Sequence, residues 1–334
     1  VKRFIMRVLV TGGSGLVGSA IKEIKPSWTF INSKDCDLLD ANAFKHYLSN
    51  NEPFDFVIHL AANVGGLFKN ISQKVKMYQD NLRMNTNVIE CCYNAKIPRM
   101  ICCRSTCVFP DGLNNMNEDD LHLGEPHNSN FGYAYAKRMI DVHCRLINED
   151  PNFFYQCIIP CNIYGPNDQF NDPATAHVVP ALICKAAALN SIDEDTMFIM
   201  GTGTPVRQFI YSRDLAKIIK SIVLDDLRVQ NLICAPNEGD ECTILDVAKY
   251  IANNFKIKNV VPQETISTST TDGQKSKNCC NNLLKSFIKD ISFTPLHEGI
   301  RQTCLWYKEH KTPIIPRIIY SLNEINDSDS SDNM

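Results

Sequence analysis

No apolar run in this sequence approaches the ~18–20 residues of a membrane span, so no spanning helix and no membrane partner are expected. No Cys-x-x-Cys pair occurs either, although the chain carries 15 cysteines in 334 residues. That spacing argues against a zinc ribbon, and a chain of this length does not need disulfide staples. The cysteines, among them the neighbours Cys91–Cys92, Cys102–Cys103 and Cys279–Cys280, read as reduced core residues, and no metal is expected. Strong charge of one sign is missing too. A formal net charge of −3 argues against nucleic acid as the main partner. The N-terminal "VKRFIMRVLVTGG" has no signal-peptide order of regions, because its apolar run leads straight into a glycine loop. No internal repeat is visible. A cytoplasmic protein acting on a small molecule is the expectation.

What is present alternates. "FIMRVLVTGGSGLVGSAIKEI" reads as strand, glycine turn and helix, and "WTFIN" as a second strand. "FDFVIHLAA", "RMICCRST" and "YQCIIPCNIYG" are continuous apolar runs of the kind buried on both faces, separated by the helical patterns "VIECCYNAK" and "YAYAKRMIDVHCRLINED". This order predicts a Rossmann-type doubly wound parallel α/β sheet. After Gly165 the pattern loosens, with one helix at "VVPALICKAAAL". "RQFIYSRDLAKIIKSIVL" and "NLICAP" read as a return to the sheet, and Thr243 as the N-cap of "CTILDVAKYIANNF". The expected division is a dinucleotide-binding domain over 1–165 and about 205–236, and a smaller, discontinuous α/β substrate-binding lobe over about 166–204 and 237–320. The acidic "SLNEINDSDSSDNM" at 321–334 is expected to be disordered.

Gly12, Gly15 and Gly18, with Leu16 and Val17 between them, follow a strand and open a helix. Backbone amides at a helix N-terminus can hold a pyrophosphate if no side chain blocks its approach. NAD sites usually place a carboxylate at the end of the second strand for the ribose 2′-hydroxyl. Here that strand ends "INSKD", so Lys34 stands near the tip and Asp35 comes one step late, with Asp37 placed for an adenine contact. This favours a 2′-phosphate, hence NADP. Tyr133 and Lys137 share a helix face, and the ammonium is expected to pull the phenol pKa down. A strand ending in Ser105 precedes them. Tyr307 and Lys311 repeat the spacing near the C-terminus and read as chance.

Together Gly12-x-x-Gly15-x-x-Gly18, Ser105 and Tyr133-x-x-x-Lys137 resemble the extended short-chain dehydrogenases/reductases. "HLAANVGGLFKN", "STCVFP", "PHNSNFGYAYAKRMIDV", "NIYGPNDQFN", "HVVPALI" and "GTGTPVRQFIYSRDLA" narrow the resemblance to the GDP-L-fucose synthase family, from about residue 7 to about 307. The resemblance implies C-3/C-5 epimerisation of GDP-4-keto-6-deoxy-D-mannose, then reduction at C-4 by NADPH, to GDP-L-fucose. It implies Ser105, Tyr133 and Lys137 as the reductase triad, and Cys107 and His177 as the acid/base pair. Ala61, Lys137, Asn162 and His177 would touch the cofactor; Lys185, Arg207 and Asp272 would touch the substrate. It further implies a homodimer through the long helices beside the site.

Two positions depart from bacterial members. Ser14 stands where some have an arginine in the glycine loop, and Met200 where they have a tryptophan before the substrate arginine. Two other functions compete. A sugar-nucleotide 4-epimerase or 4,6-dehydratase would favour an acidic residue after the second strand, and a dehydratase a carboxylate pair near Ser105. An inactive dinucleotide-sensing scaffold would lose Tyr133 or Lys137. Neither pattern is present.

Overall fold

Strand residues whose neighbours in the chain are all apolar have no face for water, so they stack in a sheet covered on both sides. The computed structural model describes residues 6–263 and 272–313; the acidic tail at 321–334 lies outside them. The chain begins β1 (Val8–Thr11), α1 (Leu16–Ile24), β2 (Thr29–Ile31), α2 (Ala41–Ser49), β3 (Phe56–His59), α3 (Leu67–Ser72), α4 (Lys74–Asn94), β4 (Arg99–Cys103), α5 (Phe131–Ile147) and β5 (Phe154–Pro160). These strands are all parallel, in the order β5-β4-β3-β1-β2. Alternation splits them between two cores. Val8, Val10, Phe56, Ile58 and Ile158 point to one face, under α1. Leu9, Val57, Met100, Tyr155 and Cys157 point to the other, under α2, α4 and α5.

The second half adds β6 (Asn162–Tyr164), α6 (Val178–Ser191), β7 (Thr196–Met200), β8 (Val206–Arg207), β9 (Phe209–Tyr211), α7 (Ser212–Leu224) and β10 (Asn231–Cys234). It continues with β11 (Cys242–Thr243), α8 (Ile244–Asn254), β12 (Asn259–Gln263), β13 (Ser276–Lys277), α9 (Asn282–Phe287) and α10 (Leu296–His310). The strand β10 joins the main sheet beside β5, and α7 packs with α1 on one face. A separate core gathers α6, β7, α8 and α10, with Phe170, Phe209 and Tyr211. Thr243 caps α8 as expected: its hydroxyl accepts from the Asp246 amide at 3.1 Å.

One expectation is corrected. The segment 209–211 does not return to the main sheet; it pairs in parallel with β6 in a two-stranded sheet. Alternation explains why. Ile210 packs into the first core while Phe209 and Tyr211 pack into the separate one. Ile163 and Tyr164 divide in the same way. The β6–β9 pair thus serves two cores at once. Tyr307 lies in the separate core at 1% exposure, away from the cleft described below.

Gly299 in α10 tests this core. A glycine-to-alanine change inside a helix normally stabilises by about 1 kcal/mol. Here the new methyl would overlap the hydroxyl of Tyr164, a fully buried side chain lying against Tyr211. Overpacking costs about 1–3 kcal/mol. Gly299→Ala should therefore lower the urea midpoint, against helix propensity; a raised midpoint would show that Tyr164 can yield.

Candidate active site

The chain leaves β4 at Cys103 and reaches Ser105, whose extended backbone (φ −159°) opens a single 3-10 turn over Thr106–Val108. The Ser105 hydroxyl accepts from the Cys107 amide at 3.5 Å. Two consecutive residues of α5 clamp this turn. The Lys137 ammonium donates to the Cys103 carbonyl at 2.9 Å, and Arg138 Nε donates to the Val108 carbonyl at 2.5 Å. Ser105 and Cys107 are therefore held between two fixed carbonyls. Tyr133 lies one turn before Lys137 on the same helix, with the ammonium 5.9 Å from its ring centre.

The electrostatics depart from expectation. Burial pushes the Tyr133 phenol well above its ordinary value, and Cys107 and Cys103 add to the rise. Burial lowers the Lys137 ammonium, which the nearby thiols partly offset. The expected pull of Lys137 on the phenol is not what dominates, because the phenol is fully desolvated and burial disfavours its charged form. Tyr133 therefore stays protonated, the state a proton donor needs.

Below the turn, Arg104 and Asp141 form a buried pair at 3.5 Å. Asp141 also meets His122 at 2.9 Å, Arg145 at 3.0 Å and the Asn231 amide at 2.8 Å. Burial opposes its ionisation. These partners outweigh burial and hold the carboxyl below the ordinary range.

The glycine loop sits where the strand order reverses, between β1 and β3, as ligand crevices of such sheets do. Gly12 has φ 70°, and a Cβ there would lie 2.8 Å from the Ala61 amide nitrogen. A Cβ on Gly18 would overlap the Gly12 carbonyl oxygen. Gly15 caps α1 without a side-chain cap, so the first-turn amides of Leu16 and Val17 are open to an anion. Behind the loop, the Thr11 hydroxyl bonds His59 Nδ1 at 2.8 Å and accepts from the Ala61 amide at 3.3 Å. Burial lowers His59 to about 3, so the ring is neutral. It then donates from Nε2 to Asn85 at 3.1 Å. The cradle fits a dinucleotide pyrophosphate.

These elements wall one cleft of about 1300 Å³. Gly12, Gly15, Leu16, Val17, Gly18, Ala61, Ser105, Cys107, Tyr133, Lys137, Asn162, His177, Arg207 and Asp272 all line it, as do Ser14, Asp37 and Met200. Three expected residues do not. Lys34 and Asp35 are exposed just past β2, while Asn32 and Ser33 beside them reach the wall. The reason is local: the Lys34 and Asn32 amides close a tight turn on the Asn32 and Asp35 side chains, at 2.8 and 2.9 Å. Lys185 points away, its ammonium donating to the Phe198 carbonyl at 2.5 Å, because its face of α6 packs on β7.

Arg207 has a neighbour that the sequence did not reveal. Lys277 of β13 pairs with it in parallel register and also lines the cleft. Burial lowers Arg207 to about 10, and Asp272 partly opposes this. Asp272 itself accepts from the Thr202 amide at 3.0 Å and hydroxyl at 2.7 Å. Two cations opposite one another repel, and an anionic ligand between them removes that cost. Asp168 is a second residue found only in the structure; it shares the cleft with His177.

The NAD dependent epimerase/dehydratase family model matches residues 8–230. GDP-L-fucose synthase of Dictyostelium discoideum is 42% identical over 308 residues, covering 90% of this chain and 94% of the relative. A probable GDP-L-fucose synthase of Drosophila melanogaster is 38% identical, covering 91% and 98%. Among solved structures, a GDP-L-fucose synthetase from Naegleria fowleri bound to NADP superimposes with a TM-score of 0.81 at 36% identity, covering 91% of this chain and 93% of that one.

The buried pair below Ser105 makes a prediction of its own. Asp141→Asn leaves Arg104 buried without its counter-charge, a loss of about 3–5 kcal/mol. A carboxyl with a lowered folded pKa stabilises fully above its unfolded pKa of about 3.9 and loses that contribution as pH falls through the folded value. Urea midpoints of the unmutated protein and Asp141→Asn should differ most near neutrality and converge in strong acid. An equal gap at all pH values would contradict the ionic account.

Proposed function

The chain belongs to the NAD dependent epimerase/dehydratase family, in the GDP-L-fucose synthase group, and from that premise we propose that it converts GDP-4-keto-6-deoxy-D-mannose to GDP-L-fucose with NADPH. One observation carries this function for the site. A thiol two residues after Ser105 is held in the same rigid turn, facing one cleft with Tyr133 and His177.

The chemistry follows from the ketone. A 4-keto group acidifies the hydrogens at C-3 and C-5. Inverting both centres needs a base on one face and an acid on the other. Cys107 and His177 take these roles, since thiol and imidazole exchange protons near neutrality. The enolate charge on O-4 is met by hydrogen bonds from Ser105 and Tyr133. NADPH, when bound, supplies the hydride for C-4. The backbone of Gly12, Gly15, Leu16, Val17 and Gly18 would hold its pyrophosphate, with Ala61 and Asn162 along the wall. Tyr133 gives O-4 its proton. The Asn162 side chain donates to the Gln208 carbonyl at 2.9 Å, which fixes its position in the wall. Arg207 and Lys277 suit the substrate diphosphate.

Two further proposals attach to this function. Exposed apolar side chains Val75 and Tyr78 of α4 and Met139, Val142 and Leu146 of α5 form a face suited to a four-helix interface between two copies. The 15 cysteines are all free thiols, which suits the reducing cytoplasm. Among the described residues no helix is long and apolar enough to cross a membrane.

Incubation with GDP-4-keto-6-deoxy-D-mannose and NADPH, with the product identified by NMR, tests the function. The unmutated protein should yield GDP-L-fucose. Tyr133→Phe should slow NADPH oxidation by about 10²–10⁴ while solvent exchange at C-3 and C-5 continues in part. Cys107→Ser should impair epimerisation, because a serine hydroxyl is a far weaker acid than a thiol. Its product should include a deoxysugar nucleotide reduced before inversion. Ordinary NADPH oxidation by Tyr133→Phe would mean that another group protonates O-4, and normal exchange by Cys107→Ser would leave the thiol as packing.

Lys34 is proposed to select the cofactor from its exposed place at the cleft edge. Losing one charge-assisted contact to a 2′-phosphate costs about 1.5–3 kcal/mol. Lys34→Ala should raise the KM for NADPH about tenfold or more and leave NADH kinetics nearly unchanged. Equal use of both cofactors by the unmutated protein would contradict this.

A further inference from the structure

The loop that joins β6 to α6 ends at His177 and brings Asp168 to the same cleft. It holds Asp168 from both sides. Asn167 before it has φ 65°, a left-handed conformation that asparagine tolerates. Phe170 after it is buried in the separate core at 1% exposure, and its carbonyl accepts from the Cys184 thiol at 3.3 Å. One carboxylate oxygen, Oδ1, accepts from the Gln169 amide at 2.7 Å. The other, Oδ2, is buried with no hydrogen-bond partner among the described residues. A desolvated carboxylate oxygen left in that state is costly, and such atoms call for an explanation.

His177 supplies one. Burial raises the Asp168 carboxyl above its ordinary range, and the charge of His177 is the ionic influence that opposes the rise. His177 stands at the N-cap of α6 but makes no capping hydrogen bond with its side chain, so the imidazole is not committed to the helix. An unpartnered buried carboxylate oxygen and an uncommitted imidazole thus share one cleft wall.

We propose that Asp168 is a positioning residue for His177: its Oδ2 takes the hydrogen bond of one ring N–H and so aims the other ring nitrogen at the sugar. A carboxylate behind an imidazole fixes the tautomer and orientation and stabilises the imidazolium that forms. The proton balance is simple. When His177 acts as base, the C–H proton goes to the ring nitrogen facing the sugar, and the bonding pair passes into the enolate at O-4. When it acts as acid, that nitrogen gives a proton of solvent origin to the carbon whose own hydrogen Cys107 has removed from the opposite face. The N–H shared with Asp168 stays in place throughout. Asp168 touches neither substrate nor cofactor in this scheme; it acts through His177. The role also explains why a carboxylate is kept in a wall where neutral side chains would cost less to bury.

This inference rests on the epimerase function proposed above, so the experiment separates the two. Solvent deuterium exchange at C-3 and C-5 of GDP-4-keto-6-deoxy-D-mannose is followed by NMR for the unmutated protein, Asp168→Asn, His177→Gln and the double variant. Absence of exchange in the unmutated protein overturns the epimerase function and the role of Asp168 with it. Exchange in the unmutated protein with an equal rate in Asp168→Asn overturns the role of Asp168 alone. The expected result is a loss of roughly tenfold or more in Asp168→Asn at the carbon His177 serves, with the KM for NADPH unchanged. The double variant should be no slower than His177→Gln, because residues acting as a unit are non-additive. Multiplying losses would instead mark Asp168 as structural support and overturn the proposal. If Asp168→Asn does not fold, nitrogen-15 histidine spectra of the unmutated protein decide, with His177 identified by its loss in His177→Gln. One fixed tautomer supports the pairing; a freely exchanging mixture overturns it.

Discussion

The Lys137 ammonium, buried at 2% exposure, is satisfied by the carbonyl of Cys103, and the whole site depends on that contact. Burying a cation is costly unless a partner meets it. Here the partner is the last carbonyl of β4, so the cost of burial is offset only when α5 sits squarely against the strand end. Arg138 repeats the device on the far side of the turn, at the Val108 carbonyl. Ser105 and Cys107 are caught between the two, and Tyr133 follows because it rides on the same helix. The parallel order of the sheet then does the rest. It sets β4 next to β3 and β3 next to β1, so the glycine cradle opens beside the turn.

The cleft has two characters. At the sheet end it is apolar and rich in thiols, and burial favours neutral forms: Tyr133 and Cys103 are both pushed up, Cys103 to about 11, while Lys137 is lowered. That suits a phenol whose task is to give a proton. Farther along, Arg207 sits in register with Lys277, which also feels the Cys107 thiol, and Asp272 offsets only part of the effect of burial on Arg207, so this wall is prepared for an anion. A sugar nucleotide has this polarity, with a reactive carbonyl at one end and a diphosphate at the other. The many cysteines need no special role. Cys102, Cys144 and Cys157 pack in the core as small apolar side chains. Cys107 differs from them by its place in the wall.

How much of this was legible in the sequence depends on distance along the chain. The glycine loop, the strand ending at Ser105 and the Tyr133 helix are each written in a single short segment, by turn chemistry and periodicity, and they were found there. The Thr243 cap is equally local. Lys277 was missed because its meaning comes from pairing with Arg207, far away in the chain, and a two-residue strand is too short to show any apolar alternation. Asp168 was missed because a loop aspartate looks like any other until its second oxygen is seen to be buried. The segment at Phe209 looked like a sheet strand because two different cores give it the same continuous apolar run. The direction of the Tyr133 shift was misjudged for a related reason: helical spacing shows that Lys137 is near, but not how completely the fold buries the phenol.

The central claim is that one cleft performs both proton exchange at carbon and reduction of the ketone. The most direct measurement is a single turnover of the unmutated protein with GDP-4-keto-6-deoxy-D-mannose and unlabelled NADPH in deuterated water. The account predicts GDP-L-fucose carrying solvent deuterium at C-3 and C-5 and ordinary hydrogen at C-4. A reduced product without deuterium at either carbon, or exchange with no reduction at C-4, would contradict it.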